Sequence, residues 1–297
     1  MTAADRPNEY DRRMHRVLEH IDRHLDEPLD LESLAAIAHF SPFHFHRLCS
    51  AWLGETLGDY LRRRRLEQAA MRMRAQPRLG ILQVALSVGF GSGEAFTHAF
   101  KSRFGVAPSA WRRQQMRKPD QVFPTGTEDT GRLPRPVPLA MNIHLVDLPP
   151  QAVAYLRHQG PYGLSIQRFW IEHVAPWMAA NRLVGHSRYG ISHDDPGITA
   201  ADSLRYDAAV ALSDERTPLS GGGFRSTLPG GRYAVMAFSG TTAQILPAWA
   251  ALLGDWLPAS GFQLDNRPCF EHYPPNASFN PQTGAFDCEI CIPIAPL

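Results

Sequence analysis

Apolar side chains recur at every third or fourth position up to about Arg113, and at every second position beyond about Met141. The first period belongs to helices with one buried face and the second to half-buried strands. Tyr10 to Leu25 places Met14, Val17, Leu18, Ile21 and Leu25 on one side, and Leu31 to Ala38 does the same with Leu31, Leu34, Ala35 and Ala38. Ser41 and Pro42 begin the next helix, because the serine hydroxyl accepts an orphan helix N–H and proline at the first position forfeits no bond. That helix runs through Phe45, Leu48 and Trp52 to Gly54. Leu57 to Arg74 is a longer helix containing the run Arg62 to Arg65. Ile81 to Val88 is a short one ended by Gly89, and the next carries Ala95, Phe96, Ala99, Phe100 and Phe104 on its apolar side.

Two short helices joined by a tight glycine-containing turn form a helix-turn-helix, whose second helix enters the major groove of DNA. The pattern occurs twice. Ala35 and Ala85 lie 50 residues apart, as do Phe40 and Phe90, whereas Gly54 and Gly105 lie 51 apart, implying one inserted residue in the second recognition segment. A helix joining two such readers holds them near the roughly 34 Å repeat of successive major grooves. The four arginines Arg62 to Arg65 read as a solvated face contributing at most electrostatic attraction to the DNA backbone.

Charge sharpens this division. Up to Lys118 the chain has 19 Lys and Arg against 13 Asp and Glu, a net of +6; thereafter it has 11 against 16, a net of −5. The basic half suits a polyanion, and the acidic, aromatic half suits a cationic or neutral ligand. No run of 18 apolar residues occurs, and MTAADRPNEYDRRMHR lacks the apolar core of a signal peptide, so no membrane association and a cytoplasmic location are expected. Cys49, Cys269, Cys288 and Cys291 make no disulfide framework at this length. Cys288 and Cys291 point to opposite faces of a strand, His44 and His46 do not converge on a helix, and His193-Asp194-Asp195-Pro196 reads as a strand-ending turn; neither metal nor cofactor is expected.

The spaced residues Ile81, Ala85, Val88-Gly89-Phe90, Phe96, Phe100-Lys101, Phe104-Gly105, Pro108 and Trp111-Arg112-Arg113 resemble the signature of the AraC/XylS family of transcription regulators, with Trp111 in place of the usual tyrosine. The resemblance spans about Met14 to Arg113 and implies double-stranded promoter DNA as partner, with RNA polymerase a second one. Aligned to the family, the DNA-contacting positions are Phe43, His46 and Arg47 in the first unit, and Gly93, Glu94, Ala95, Thr97 and His98 in the second. Arg112 and Arg113 suit phosphate contacts. Arg47 is the strongest base reader, because a guanidinium bonds two guanine acceptors at once. Gly93 and Ala95 have no polar side chain and Glu94 repels phosphate, so the second unit is the weaker reader.

Five prolines between Pro119 and Pro138 mark a linker. The expected organisation is an all-α tandem helix-turn-helix domain over residues 8–117, a linker over 118–140, and an α+β domain over 141–297. In the last, strands at Ile143 to Val146, Val153 to His158, Ser187 to His193, Asp207 to Ser213, Arg232 to Phe238, Cys269 to Tyr273 and Asp287 to Ile294 alternate with helices at Ser165 to Asn181 and Gln244 to Leu257. Pro247 is placed in the first turn of its helix, where no N–H is needed. The order repeats as strand-helix-strand-strand modules. They pair into one antiparallel sheet with both helices on one face, leaving a cleft on the other.

His158-Gln-Gly-Pro-Tyr162, Tyr189 to Pro196, Tyr206-Asp207, Trp256 to Gly261, Phe270-Glu-His-Tyr273 and Ile292-Pro293-Ile294 resemble the GyrI-like small-molecule-binding domain. The resemblance implies a carboxylate among aromatic rings that binds a cationic or amphipathic aromatic effector, with Glu271, Tyr162, Trp170, Tyr189 and Trp249 as candidates. A carboxylate in an apolar setting is costly unless a cation compensates it, and aromatic faces add cation–π attraction. Some GyrI-like domains are hydrolases, so the alternative is Glu271 as general base toward an electrophile; otherwise no catalytic residue is expected.

Overall fold

A computed structural model of the chain describes residues 9–116, 142–214, 217–265 and 267–297. They form two compact units, Met1–Pro119 and Asp120–Leu297. The proline-rich linker lies outside the described residues. Within them, no helix is long and apolar enough to cross a membrane.

The first unit is entirely helical: α1 (Glu9–Arg23), α2 (Leu31–Ile37), α3 (Pro42–Leu53), α4 (Leu57–Ala75), α5 (Ile81–Ser87), α6 (Gly93–Phe104) and α7 (Pro108–Met116). The apolar stripe of each helix is its buried face: Val17, Ile21, Leu34, Phe45 and Tyr60 meet in one core, while Phe96, Phe100 and Trp111 are buried in the second half. Phe100 packs on Phe96, Phe104 and Trp111 at centroid distances of 5.4, 4.4 and 5.7 Å.

The duplication extends to the caps. α3 and α6 have 12 residues each; Ser41 and Ser92 accept the N–H three residues on, and Gly54 and Gly105 close the helices at φ 72° and 76°. Phe40 and Phe90 each donate their N–H to the alanine five residues before, at 3.0 Å. Within the second recognition segment the extra residue therefore falls in the turn, at Gly91, ahead of the helix itself. Gly89 has φ 81°, and a Cβ there would lie 2.5 Å from the Leu25 carbonyl oxygen, so both conformation and space demand glycine.

In the second unit all strand pairs are antiparallel, in the order β1-β6-β9-β8-β3-β4-β2-β5, with β7 on the far end of β9. The strands are β1 (Ile143–Leu148), β2 (Gln151–Gln159), β3 (Arg188–Ser192), β4 (Arg205–Ala211), β5 (Phe224–Leu228), β6 (Gly231–Gly240), β7 (Phe262–Leu264), β8 (Phe270–Tyr273) and β9 (Phe286–Pro296). β5 and β7 are additional to the expected strands. The repeat is a pseudo-twofold centred between β3 and β8, and its modules exchange strands: β1 pairs with β6 and β5 with β2. Only Pro149-Pro150 separates β1 from β2, and Pro229-Gly230 separates β5 from β6, yet neither neighbouring pair forms a hairpin.

Each module has one interrupted helix. α8 (Leu164–Phe169) passes through a π turn (Trp170–Val174) into α9 (Ala175–Ala180), and α10 (Thr242–Ala251) passes through a second π turn (Leu252–Trp256) into α11 (Leu257–Ala259). Pro247 lies inside α10, not in its first turn, because the helix begins at Thr242 behind a Thr241 cap. Both helices cover the same sheet face, packing on Ala154, Tyr206 and Ala208 in one module and on Ala234, Met236 and Ile290 in the other.

Candidate functional site

In α3, burial of Phe45 and Cys49 turns Phe43, His46 and Arg47 outward; all three are exposed, Phe43 at 67%. The Arg47 guanidinium rests 5.9 Å from the Phe43 ring centroid, which steadies it without consuming its donors. In α6, burial of Phe96, Ala99 and Phe100 leaves Glu94, Ala95, Thr97 and His98 exposed, with Gly93 half-buried. The Thr97 hydroxyl donates to the Gly93 carbonyl oxygen at 2.7 Å, so only its lone pairs remain to accept. A groove of about 530 Å³ is lined by Gly58 and Arg62 of α4, Gly91, and Ala95 and His98 of α6, among others.

The run Arg62 to Arg65 is not the solvated face expected of it. Arg62 is exposed, but the next three turn inward. Arg65 donates to the carbonyl oxygens of Leu25 at 2.9 Å and Glu27 at 2.8 Å, and Arg63 and Arg64 converge on buried Glu67. Long side chains let a helix carry charge into its own packing face, which a run of four arginines conceals. Arg112 likewise donates to the Pro77 carbonyl oxygen at 3.0 Å, and its Nε and Nη2 are buried with no hydrogen-bond partner among the described residues. Burial depresses its guanidinium pKa. Arg113 is exposed.

The second site is built on β8 and β3. Glu271 pairs with Gly190, and alternation sends both to the helix-covered face. Trp249 of α10 donates Nε1–H to Glu271 Oε1 at 3.1 Å, and the Tyr273 hydroxyl donates to Oε2 at 2.7 Å. Trp170 donates to the Tyr206 hydroxyl at 3.0 Å, and its ring lies 6.2 Å from that of Tyr273. Gly190 makes this convergence possible: a Cβ there would collide with the Tyr206 hydroxyl and lie 2.9 Å from Glu271 Oε2. Burial raises the Glu271 pKa, while its two hydrogen bonds partly oppose the shift. Burial also pushes Tyr206 and Tyr273 well above the ordinary phenol range, so both hydroxyls are neutral. Glu271, Trp170 and Tyr273 nevertheless keep partial solvent access.

Of the expected ligand residues, the structure brings together Glu271, Trp170 and Trp249. Tyr162 touches the cluster only through its ring, 6.3 Å from Tyr206, because its hydroxyl donates to the Arg205 carbonyl oxygen at 2.7 Å. Tyr189 lies on the opposite sheet face, stacked on His272 at 5.0 Å in a core with Val153, Tyr155 and Phe270. It is one strand position away from Gly190, and one position reverses the face. The Glu271 cluster thus sits under the helices, contrary to the expected cleft on the bare side. Tyr206 and Tyr273 were missed; Tyr273 was legible as the same-face neighbour two positions beyond Glu271. Asp194 is held by Arg205 at 3.0 Å in a buried pair. The cysteines are free, with Cys288 and Cys291 in separate cores on the two faces.

Residues 141–295 match the GyrI-like small molecule binding domain, just over half of the chain, and residues 34–114 match a helix-turn-helix domain. The transcriptional regulator Rob of Salmonella typhimurium is 27% identical over 290 residues, covering 92% of this chain and 95% of Rob. The DNA gyrase inhibitor of Edwardsiella ictaluri is 33% identical over 136 residues, 45% of this chain and 86% of that protein. The regulatory protein SoxS of Escherichia coli K12 is 34% identical over 94 residues, 32% of this chain and 87% of SoxS. A tandem helix-turn-helix with an outward reading face, joined to a sheet domain of this kind, agrees with these likenesses: the chain belongs to the AraC/XylS-type DNA-binding transcription regulators that carry a GyrI-like domain.

Proposed function

We propose that this DNA-binding regulator reads its promoter chiefly through α3, with Arg47 as the principal base contact, and senses a cationic or amphipathic aromatic molecule at Glu271. The observation that carries the sensing is a half-buried carboxylate that accepts from two neutral donors, Trp249 and Tyr273, framed by Trp170 and Tyr206. Neutral donors stabilise the charge without cancelling it, so a ligand cation gains both the carboxylate and the aromatic faces. The effector then changes promoter occupancy or contact with RNA polymerase, provided it binds two states of the protein with different affinity.

The test compares phenyltrimethylammonium with tert-butylbenzene, its uncharged isostere, by the melting temperature of the full chain. The cation raises the melting temperature of the wild type and the isostere does not, and Glu271→Gln abolishes the difference. Equal effects of both compounds contradict a charge-reading site. Chemical turnover of an electrophile, lost in Glu271→Gln, replaces sensing with the hydrolase alternative.

A further inference from the structure

Glu67 on α4 is fully buried and accepts from three arginines on two elements. Arg64 approaches Oε2 at 3.0 Å and Arg63 at 3.3 Å, both from α4; Arg103 reaches Oε1 at 2.9 Å from the last turn of α6. Arg64 also binds Asp22 of α1 at 3.2 Å, and Arg63 binds Glu55, just before α4. Three cations and three carboxylates thus run from α1, through the connecting helix, to the second recognition helix. A chain so balanced is of little use for attracting DNA, and its central member is out of reach of solvent.

Buried ion pairs contribute weakly to stability, since desolvation offsets attraction, but they are directional where apolar contacts are not. Apolar packing alone tolerates small sliding of one helix over another. A guanidinium held at 2.9 Å from one carboxylate oxygen does not, because a shift of one residue along a helix is about 1.5 Å and breaks the bond. Successive base pairs are about 3.4 Å apart, so a displacement of that order decides which half-site spacing both helices read together.

We propose that Glu67 and Arg103 are positioning residues that fix α6 on the connecting helix α4, and with it the half-site spacing the protein accepts. This rests on the DNA-reading function proposed above. The two are separable: full-length protein that enriches no sequence from a random duplex pool sinks both, whereas the spacing test below concerns the positioning alone.

The probe is a duplex enriched from such a pool, together with versions having one base pair inserted or deleted between its half-sites. Wild type loses about tenfold or more in affinity on either change. Arg103→Met keeps the stem and removes the guanidinium at a side chain that is one-third exposed, so the fold tolerates it. It binds the original duplex a few-fold more weakly and brings all three duplexes within about threefold of one another, and Arg103→Lys recovers part of the discrimination. Glu67→Gln gives the same narrowing through the other partner. A wild type indifferent to spacing overturns the proposal, and so does an Arg103→Met protein that weakens all three duplexes by one common factor, since a merely structural loss acts uniformly.

Discussion

Gly190→Ala is the sharpest probe of the Glu271 cluster, because one methyl group acts on two of its members. The added Cβ lies 2.9 Å from Glu271 Oε2 and 3.0 Å from Tyr206 Cζ, and closer still to the Tyr206 hydroxyl. Tyr206 is only 2% exposed, so it has no free volume into which to swing. Overpacking of this kind costs about 1–3 kcal/mol, and displacing the phenol breaks the Trp170 bond for roughly 1 kcal/mol more. The second unit is therefore destabilised by about 2–4 kcal/mol, which lowers its melting temperature by roughly 5–15 °C. Gly190 has no positive φ, so the effect is steric and not conformational. Urea unfolding of the full chain, followed by tryptophan fluorescence, reports it directly. Aromatic cations lose their stabilising effect in the same variant, while DNA affinity measured well below the transition is unchanged. A loss smaller than about 0.5 kcal/mol, within the range of an ordinary surface substitution, refutes the packing argument.

Arg47→Ala weakens binding to the selected duplex by about 1–3 kcal/mol and relaxes preference at one base; an equal loss on all sequences makes it a phosphate contact instead. Arg113→Ala weakens binding uniformly and lowers the salt slope by about one, whereas Arg112→Ala lowers the melting temperature with little change in that slope, because its guanidinium is turned to Pro77. The raised Glu271 pKa fixes the sign of a pH effect. Protonation favours the folded state, so the stability Glu271 contributes is fully present below its ordinary pKa and is lost as pH rises through the raised folded value. Relative to Glu271→Gln, the wild type is thus more stable near pH ~5 than near pH ~8 in urea titrations, and its affinity for aromatic cations runs the opposite way. A pH-independent difference between the two proteins contradicts the burial of that carboxylate.

The DNA-reading unit was legible because its determinants are local. Helical period, the Ser41 and Ser92 caps and the Gly54 and Gly105 stops each act within one or two turns. What composition concealed was the direction of the arginines: Arg63, Arg64, Arg65 and Arg112 serve the interior, through partners such as Leu25, Glu67 and Pro77 that lie 3 to 40 residues away. In the second unit the type of each long element followed from its period. Pairing did not, since β1 passes over its neighbour to join β6 by long-range contacts that turn residues do not encode. The cluster around Glu271 was half visible. The helix tryptophans could be proposed from their type, but excluding Tyr189 and including Tyr206 and Tyr273 required the phase and register of four strands.

The central claim is that occupancy at Glu271 is coupled to DNA reading at α3. The direct measurement is the affinity of full-length protein for its selected duplex, with and without a saturating concentration of whichever aromatic cation most raises the melting temperature. A change of about fivefold or more, corresponding to roughly 1 kcal/mol of coupling, is expected in the wild type and none in Glu271→Gln. A cation that binds the wild type but leaves DNA affinity unchanged, or shifts it equally in Glu271→Gln, contradicts that coupling.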